Sequence, residues 1–406
     1  MSGIAHPLEW IQKRVPLLRD LPIEITALSL IAFFVALGFG IVAPVIPTFA
    51  STFGVTAFMA AAVISAFAFT RLIAAPPAGW LVNRIGERRV LTSGLLIVSA
   101  SSALAGLSND YYHLLFWRSL GGFGSTMFTV SAMALLIRIV PADMRGRAAS
   151  AWSGGFLIGG LAGPAVGGIF VSWSLRSPFF IYALTLLGAS LVSWKYLNKA
   201  HLLENVVATS DEKFGFRKVL TSLPYLTALG TNFNVGLVRF GILNALVPLL
   251  IVKELGAPPV YASLAFLASS VAQASLLVFA GKTTDLRGRR ISLIVGNGLT
   301  VVGMLLLAQA SITLVIVLAM IVLGVAGSFL SSAPTAVVGD VTSGQKSGAA
   351  ISAYQMAADF GAIFGPLIGG LLLDLSNGYT LPFNFAAILT LVFVGMSLMM
   401  KETRKN

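Results

Sequence analysis

Twelve stretches of mainly apolar residues, each about 20 residues long or longer, recur along the chain. A helix needs roughly 20 such residues to cross about 30 Å of hydrocarbon, so each stretch can span a bilayer. Hydrophobic residues make up 57% of the chain and charged residues 10%, a composition that excludes a water-soluble globule. The sequence therefore predicts an all-α polytopic membrane protein with twelve transmembrane helices. The predicted segments 1 to 12 cover residues 23–49, 57–82, 90–108, 112–138, 147–172, 178–197, 223–252, 259–281, 291–309, 312–339, 347–373 and 381–400.

Lysine and arginine are distributed very unevenly among the predicted loops. With a cytoplasmic N-terminus, 22 of the 27 lie on the cytoplasmic side, whereas only Arg176 and Lys253 lie outside. The other three, Arg71, Arg118 and Arg239, fall inside segments. Cytoplasmic loops carry such an excess in membrane proteins. The pattern predicts a multi-pass protein of the cell membrane with both termini in the cytoplasm. Because topology accounts for the net charge of +12, no nucleic-acid partner is expected.

The two halves of the chain repeat at a constant offset of 202 residues. The stretch GPAVGG at 163–168 in segment 5 recurs as GPLIGG at 365–370 in segment 11, and the same offset carries Gly122 onto Gly324. Two pseudo-symmetric six-helix bundles in parallel repeat are an architecture that transporters use for alternating access. The predicted domains are a cytoplasmic lead-in at 1–22, bundles at 23–198 and 223–400, a cytoplasmic linker at 199–222 and a cytoplasmic tail at 401–406.

Four motifs resemble those of the major facilitator superfamily. Residues 79–89, GWLVNRIGERR, resemble the family signature between helices 2 and 3, and residues 281–290, GKTTDLRGRR, match it more closely. Residues 114–122, LLFWRSLGG, are similar to the helix 4 motif, whose arginine is given a role in proton coupling. Residues 159–168, GGLAGPAVGG, resemble the helix 5 motif of efflux antiporters. The resemblance, to the twelve-helix drug:proton antiporter branch, implies the major facilitator fold and a small-molecule substrate exchanged for protons.

The two loop motifs are predicted to build a cytoplasmic gate. The resemblance implies that Asp285 lies against the N-terminus of segment 5 and that Arg289 pairs with Asp340. In the first repeat Glu87 and Arg138 take the matching positions, so we predict the same latch with its charges exchanged. A surface coincidence is the alternative. The predicted gate comprises Gly79, Asn83, Arg84, Gly86, Glu87, Arg88, Arg138, Gly281, Asp285, Arg287, Gly288, Arg289, Arg290 and Asp340.

Glycines spaced four residues apart predict a close helix seam. In segment 5, Gly155, Gly159, Gly163 and Gly167 share one face, which allows a neighbouring helix to approach to backbone contact, and Pro164 permits a bend. Simple close packing is one interpretation. The resemblance implies the other, a seam that seals the outward end of the pathway and flexes on switching. Segment 11 repeats the device with Gly361, Gly365, Pro366 and Gly369.

Ionisable residues inside the segments are the main functional candidates, because charge in hydrocarbon is costly. Asp359 is the one acid of 15 deep in a segment, and we predict that it exchanges protons together with Arg118. A structural acid that is neutral or paired with arginine is the alternative. The surplus of buried arginine favours anionic or zwitterionic solutes or lipid head groups as substrates, unless backbone carbonyls or water satisfy the arginines. The predicted substrate cavity comprises Arg71, Arg239, Asn232, Asn234, Asn244, Gln273, Gln355, Phe33 and Phe128.

Enzymatic function finds no support in the sequence. The chain has no cysteine, three scattered histidines and no phosphate-binding glycine-rich loop, so we expect no catalytic residue, metal or cofactor. The sequence predicts a monomeric secondary active transporter that works by alternating access, most simply proton-coupled efflux of a small amphipathic or anionic organic molecule or drug. An importer or facilitator of a sugar or other metabolite is one alternative. A non-transporting membrane receptor or lipid-handling protein is the other.

Overall fold

The computed structural model describes residues 7–15, 18–140, 144–197, 221–342 and 348–404. Within these ranges, 12 helices are long and apolar enough to cross a membrane, as predicted. A shorter helix, Pro7–Arg14, precedes them. The twelve, here called spans 1 to 12, are Ile23–Ser51, Ala57–Ile85, Glu87–Gly106, Tyr111–Leu136, Arg147–Val171, Ser177–Leu197, Leu223–Glu254, Val260–Leu286, Arg289–Ala308, Thr313–Val341, Ala350–Ser376 and Thr380–Met399.

Spans 2 and 8 are longer than the segments predicted for them. The predicted segments end at residues 82 and 281, but the helices continue to Ile85 and Leu286, through most of each loop motif. Hydropathy marks where hydrocarbon ends, whereas a helix can continue into water with its backbone hydrogen bonds intact. The chain turns at Gly86 (φ 88°) and Gly288 (φ 109°), in a backbone region that glycine adopts without a steric penalty.

Four spans depart from a continuous α-helix. Span 6 ends in a π-helical stretch, Ser193–Leu197, and span 10 consists of helices Thr313–Leu330 and Ala333–Val341. Span 1 consists of helices Ile23–Val42 and Ile46–Ser51, separated at Pro44, which cannot donate a backbone hydrogen bond. Span 7 contains two π-helical stretches, Gly236–Leu243 and Leu250–Glu254. The hydrophobic pattern could not predict these changes, because hydropathy does not report which carbonyl each backbone N–H group reaches.

The chain divides into two compact units. The first comprises Met1–Ala43 and Phe69–Thr209, and the second comprises Pro44–Ala68 and Ser210–Asn406. Residues 44–68, which the sequence predicts to be part of the N-terminal bundle, therefore group with the second unit. The bundle boundaries at 23–198 and 223–400 stay a prediction. The linker predicted at 199–222 lies outside the described residues except for its last two positions.

Buried hydroxyl groups tie helices together within each unit. In the first unit Ser99 of span 3 donates a hydrogen bond of 2.8 Å to the carbonyl of Ala183 in span 6. In the second, the Tyr225 hydroxyl of span 7 donates one of 2.8 Å to the carbonyl of Ala350 in span 11. Polar side chains in membrane proteins find such partners because hydrocarbon offers none.

Candidate functional site

The glycine stripe of span 5 lies directly on span 1. A Cβ atom on Gly163 would stand 2.7 Å from the Gly40 Cα and 2.7 Å from the Leu37 carbonyl oxygen, closer than real Cβ atoms come. Gly160, which directly follows Gly159 and lies on another face of the helix, has nothing within 4 Å of its Cβ position. The close packing that the spacing predicted is therefore observed, and span 1 is the partner helix. The stripe's other members, Gly155, Gly159 and Gly167, also face span 1 backbone.

Span 11 repeats this seam against span 7. A Cβ on Gly365 would stand 3.0 Å from the Gly241 Cα, and one on Gly241 would stand 3.0 Å from the Pro366 ring. In the first unit the Pro164 ring faces Gly40 in the same way, at 3.2 Å. Each proline thus packs on a glycine of its partner helix. The seam is completed by Gly361, which faces backbone, and Gly369, which faces side chains.

In the first loop motif, Glu87 and Arg138 form the predicted ion pair. Glu87 opens span 3 with only 7% of its surface exposed, and its carboxylate accepts a hydrogen bond from the Arg138 guanidinium. The pair links the start of span 3 to the end of the helix of span 4. Arg84 stacks over the Trp80 ring at 5.0 Å. The remaining positions are an exposed Asn83, a partly buried Arg88 and Gly79, which has open space at its Cβ position.

In the second loop motif, Arg289 holds the same place with the opposite charge. Its Nε lies 3.1 Å from Asp340 Oδ2, and its Nη1 donates to the Thr284 carbonyl at 2.7 Å. Asp285 is exposed and lies 3.3 Å from Arg289 Nη1. The expected position of Asp285 against the start of segment 5 stays a prediction. Arg287 is exposed, Arg290 is partly buried, and Gly281 has open space at its Cβ position.

The C-terminal tail caps this second motif, an arrangement that no sequence signal predicted. The Glu402 carboxylate accepts backbone hydrogen bonds from Arg289 (2.9 Å) and Arg290 (3.1 Å) at the start of span 9. Thr403 donates to Asp340 Oδ2 at 3.1 Å. Partial burial opposes the charged form of Glu402, but the backbone N–H donors, Arg404 foremost, hold the pKa of this carboxyl below its usual range.

A second unpredicted cap lies at the start of span 2. Asp374 of span 11 accepts backbone hydrogen bonds from Ala57 (2.9 Å) and Phe58 (2.8 Å), one on each carboxylate oxygen. Both groups belong to the second unit, which includes residues 44–68. A carboxylate in this position satisfies two of the four unpaired N–H groups of a helix start and complements its dipole. Nearby, Ser65 donates a buried hydrogen bond of 2.7 Å to the Ile363 carbonyl.

In the first unit, the buried Arg118 and the partly exposed Arg71 lie near one tyrosine. Arg118 in span 4 is 2% exposed, and Tyr182 in span 6 is also 2% exposed. The tyrosine is within electrostatic range of both Arg118 and Arg71. Thr126 fixes the backbone of span 2 here through a hydrogen bond of 2.8 Å to the Arg71 carbonyl. Tyr182 belongs to no motif, so sequence reasoning missed it.

The second unit places the third arginine against glutamine. Arg239 of span 7 donates a hydrogen bond to Gln273 Oε1 of span 8. The Gln273 amide nitrogen donates in turn to the Gly327 carbonyl of span 10, at 3.4 Å. Asp359 is partly buried in span 11, and Gln355, one turn before it, is exposed. Two predicted cavity residues, Arg239 and Gln273, are thus in direct contact.

Three other predicted cavity residues make packing contacts within their own units. Asn232 donates to the Tyr354 carbonyl at 2.7 Å, and the fully buried Asn234 accepts from Thr390 at 3.2 Å. Phe128, 3% exposed, packs against an aromatic ring of span 5. The Asn234 Nδ2 atom is buried without a hydrogen-bond partner among the described residues, and the place of all three residues in a substrate cavity stays a prediction. Phe33 and Asn244 are partly exposed.

Among the described residues, no group of three or more His, Asp or Glu side chains could hold a metal ion. The functional candidates are the polar and charged side chains on the membrane spans, the glycine seams and the carboxylate caps at helix ends.

Comparisons with known proteins find similarity over most of the chain. The sequence profile of the Major Facilitator Superfamily matches residues 28–238 and 228–406. Multidrug resistance protein 2 of Bacillus subtilis (strain 168) is 27% identical over 92% of this chain and 94% of its own length. Multidrug resistance protein 1 of the same strain is 26% identical over 93% and 96%. A crystal structure of a bacterial homolog of the human lysosomal transporter Spinster shares the fold, with a TM-score of 0.75 at 13% identity over 93% of this chain and 96% of that one.

Proposed function

Because the chain belongs to the Major Facilitator Superfamily, we propose that it exports small amphipathic or anionic organic molecules in exchange for protons, by alternating access. The observation that carries the direction is the glycine stripe of span 5, which has the efflux-type motif and is seated on span 1. The likeness to two multidrug resistance proteins over more than nine-tenths of the chain supports the same proposal. The alternative of import or facilitated entry has no comparable structural feature behind it.

Proton exchange is assigned to Asp359, with Arg118 as the positive group of the coupling machinery. Asp359 lies partly buried in span 11, where a charged carboxylate is costly and protonation relieves that cost. Arg118 is buried in span 4 and keeps its charge under all physiological conditions. In this proposal Asp359 gains and loses the proton, and Arg118 supplies a fixed positive charge.

The coupling is tested in proteoliposomes loaded at acidic pH and diluted into neutral buffer. The wild-type protein is expected to accumulate an amphipathic rhodamine dye against its gradient. Asp359→Asn should abolish this accumulation and leave dye-for-dye exchange intact, because exchange needs no net proton movement. Glu24→Gln makes the same chemical change at the start of span 1 and serves as the matched control. Uphill movement at full rate in Asp359→Asn would remove the proton assignment.

The direction is tested in cells that lack their own drug pumps. Expression of an exporter lowers the steady-state dye content, whereas expression of an importer raises it. The loss of proton coupling in Asp359→Asn is expected to return the dye content to that of cells without the protein. A rise in dye content on expression of the wild type would favour the import alternative.

We also propose that both termini lie in the cytoplasm, on the side that receives 22 of the 27 Lys and Arg residues. The chain contains no cysteine, so single cysteines report accessibility without background. A cysteine in place of Trp173, which is 73% exposed after span 5, should react with a membrane-impermeant maleimide added to intact cells. One in place of the exposed Lys401 should react only after permeabilisation. The reverse pattern would invert the topology.

A further inference from the structure

Arg239 lies at an irregular point of a membrane span. It is part of the π-helical stretch Gly236–Leu243 of span 7, and it stays partly exposed, as does Gln273. π-Helical stretches are rare in proteins and are found frequently at functional sites. The stretch is fixed by close packing, since a Cβ on Gly241 would stand 2.9 Å from the Gly365 Cα. The backbone that carries Arg239 is therefore both irregular and rigidly supported.

The guanidinium is oriented by two neutral groups. Gln273 accepts from Arg239 Nη2, and its own orientation is set by the 3.4 Å hydrogen bond to the Gly327 carbonyl. Gly327 also leaves the space that the guanidinium needs, because a Cβ at this position would collide with Arg239 Nη1. Span 8 thus holds one edge of the guanidinium, and span 10 provides room for it.

The charge of Arg239 is oriented but not neutralised. Among the residues that the structure describes, none contributes a carboxylate within 4.0 Å of this guanidinium. A cation in a membrane span is costly, so this partly exposed guanidinium favours an anionic ligand. A guanidinium has five N–H donors in a planar fork that matches a carboxylate, and here one nitrogen is bonded to Gln273. A glutamate at position 273 would have neutralised the guanidinium. Glutamine orients the guanidinium and leaves its positive charge available to a ligand.

We propose that Arg239, oriented by Gln273, binds the carboxylate of the transported molecule. The substrates then include amphipathic organic acids and zwitterions, with the carboxylate on span 7. This subsite deepens the proposed export function and rests on it only for the route by which a substrate reaches the span. It does not depend on proton coupling, because an arginine keeps its charge throughout.

The test compares a rhodamine dye that bears a free carboxylate with its methyl ester. The two differ only in the group that Arg239 is proposed to bind. Binding to the purified protein in nanodiscs is measured by fluorescence polarisation, and transport of both dyes is measured in proteoliposomes. The variants are Arg239→Gln, Arg239→Lys and Gln273→Glu. Lys253→Gln removes an exposed cation from the same span and is the matched control.

The wild type is expected to bind the acid about tenfold more tightly than the ester, in line with a charge-assisted pair. Arg239→Gln should lose this preference and bind the ester as the wild type does, while Lys253→Gln keeps the preference. Arg239→Lys should retain part of it, since it keeps the charge but not the fork. Gln273→Glu should also lose the preference, because the new carboxylate pairs with Arg239.

Three results would overturn the subsite: no preference in the wild type, an equal loss of both dyes in Arg239→Gln, or a preference that survives in that variant. The outcome for the export function is separate. Preferential binding of the acid without proton-driven transport would leave the subsite standing and remove the export proposal. Proton-driven transport of both dyes that is unchanged in Arg239→Gln would support the export proposal and remove the subsite.

Discussion

The Glu87 carboxylate accepts a hydrogen bond from the Arg138 guanidinium, which reverses the charges of the pair that Arg289 and Asp340 make in the second repeat. The 202-residue offset carries Glu87 onto Arg289 and Arg138 onto Asp340. The contact is therefore repeated, but the arginine lies on the second helix of the pair in the first repeat and on the first helix in the second. The position therefore requires opposite charges but not a particular order of them. In both repeats the pair joins the start of one span to the end of the next helix.

Exchanging the two charges in the first repeat is expected to be tolerated. Glu87→Arg alone or Arg138→Glu alone leaves two like charges together, with position 87 buried, and should lower both thermal stability and transport. The double variant restores an ion pair in the order that the second repeat uses. We expect a coupling free energy of about 0.5–2 kcal/mol from the double-mutant cycle. A double variant that transports no better than either single one would show that the contact has no role in the latch.

The number of spans and the internal repeat could be predicted because both depend on local composition. A span needs a long apolar run, and twelve runs are visible without any tertiary information. The Glu87–Arg138 contact could be predicted because the second repeat supplied a template for it. The partner helices of the glycine seams could not, because a stripe of small residues shows that a helix approaches but not which one.

The caps made by Asp374 and Glu402 were beyond sequence reasoning for a different reason. Both carboxylates bind backbone N–H groups, which every residue carries, so no matching side chain marks the other end of the contact. Asn234 shows a different limit. Its oxygen accepts a hydrogen bond from the Thr390 hydroxyl of span 12, whereas its buried Nδ2 has no hydrogen-bond partner among the described residues, so its place in the cavity stays a prediction. The sequence identifies polar groups in hydrocarbon, but only the packing distinguishes those already engaged from those left for a ligand.

The span 5 seam is tested by adding a single methyl group. Gly163→Ala places a Cβ against the backbone of Gly40, so spans 1 and 5 have to move apart. We expect a loss of stability of about 1–3 kcal/mol, the usual cost of overpacking, together with reduced dye export. Gly160→Ala is the matched control, since its Cβ meets nothing within 4 Å. Thermal unfolding in detergent measures both, and equal behaviour of the two variants would contradict a close seam.

Asp374 is expected to stabilise the start of span 2 through its two backbone hydrogen bonds. Asp374→Leu removes both acceptors and the favourable charge, which should cost about 0.5–2 kcal/mol, as for other N-terminal caps. Asp374→Asn keeps one carbonyl oxygen and should lose less. The measurement is thermal unfolding, with Glu254→Gln as a control for the loss of an acid at the end of span 7. Asp374→Leu with the stability of the wild type would show that water replaces the cap without cost.

The Glu402 cap is expected to contribute a pH-dependent part of the stability. Its pKa is held below the usual range, so the unfolded chain takes up the proton first as the pH falls. The contribution is therefore complete at neutral pH and is lost as the pH falls below the ordinary glutamate value of 4.5 and through the lower folded value. Glu402→Gln should lower the Tm by about 1–3 °C at pH 7 and leave it unchanged once the wild-type carboxyl is protonated. Glu24→Gln should show no such dependence, and a Tm difference for Glu402→Gln that stays constant from pH 7 to pH 3 would contradict a charged cap.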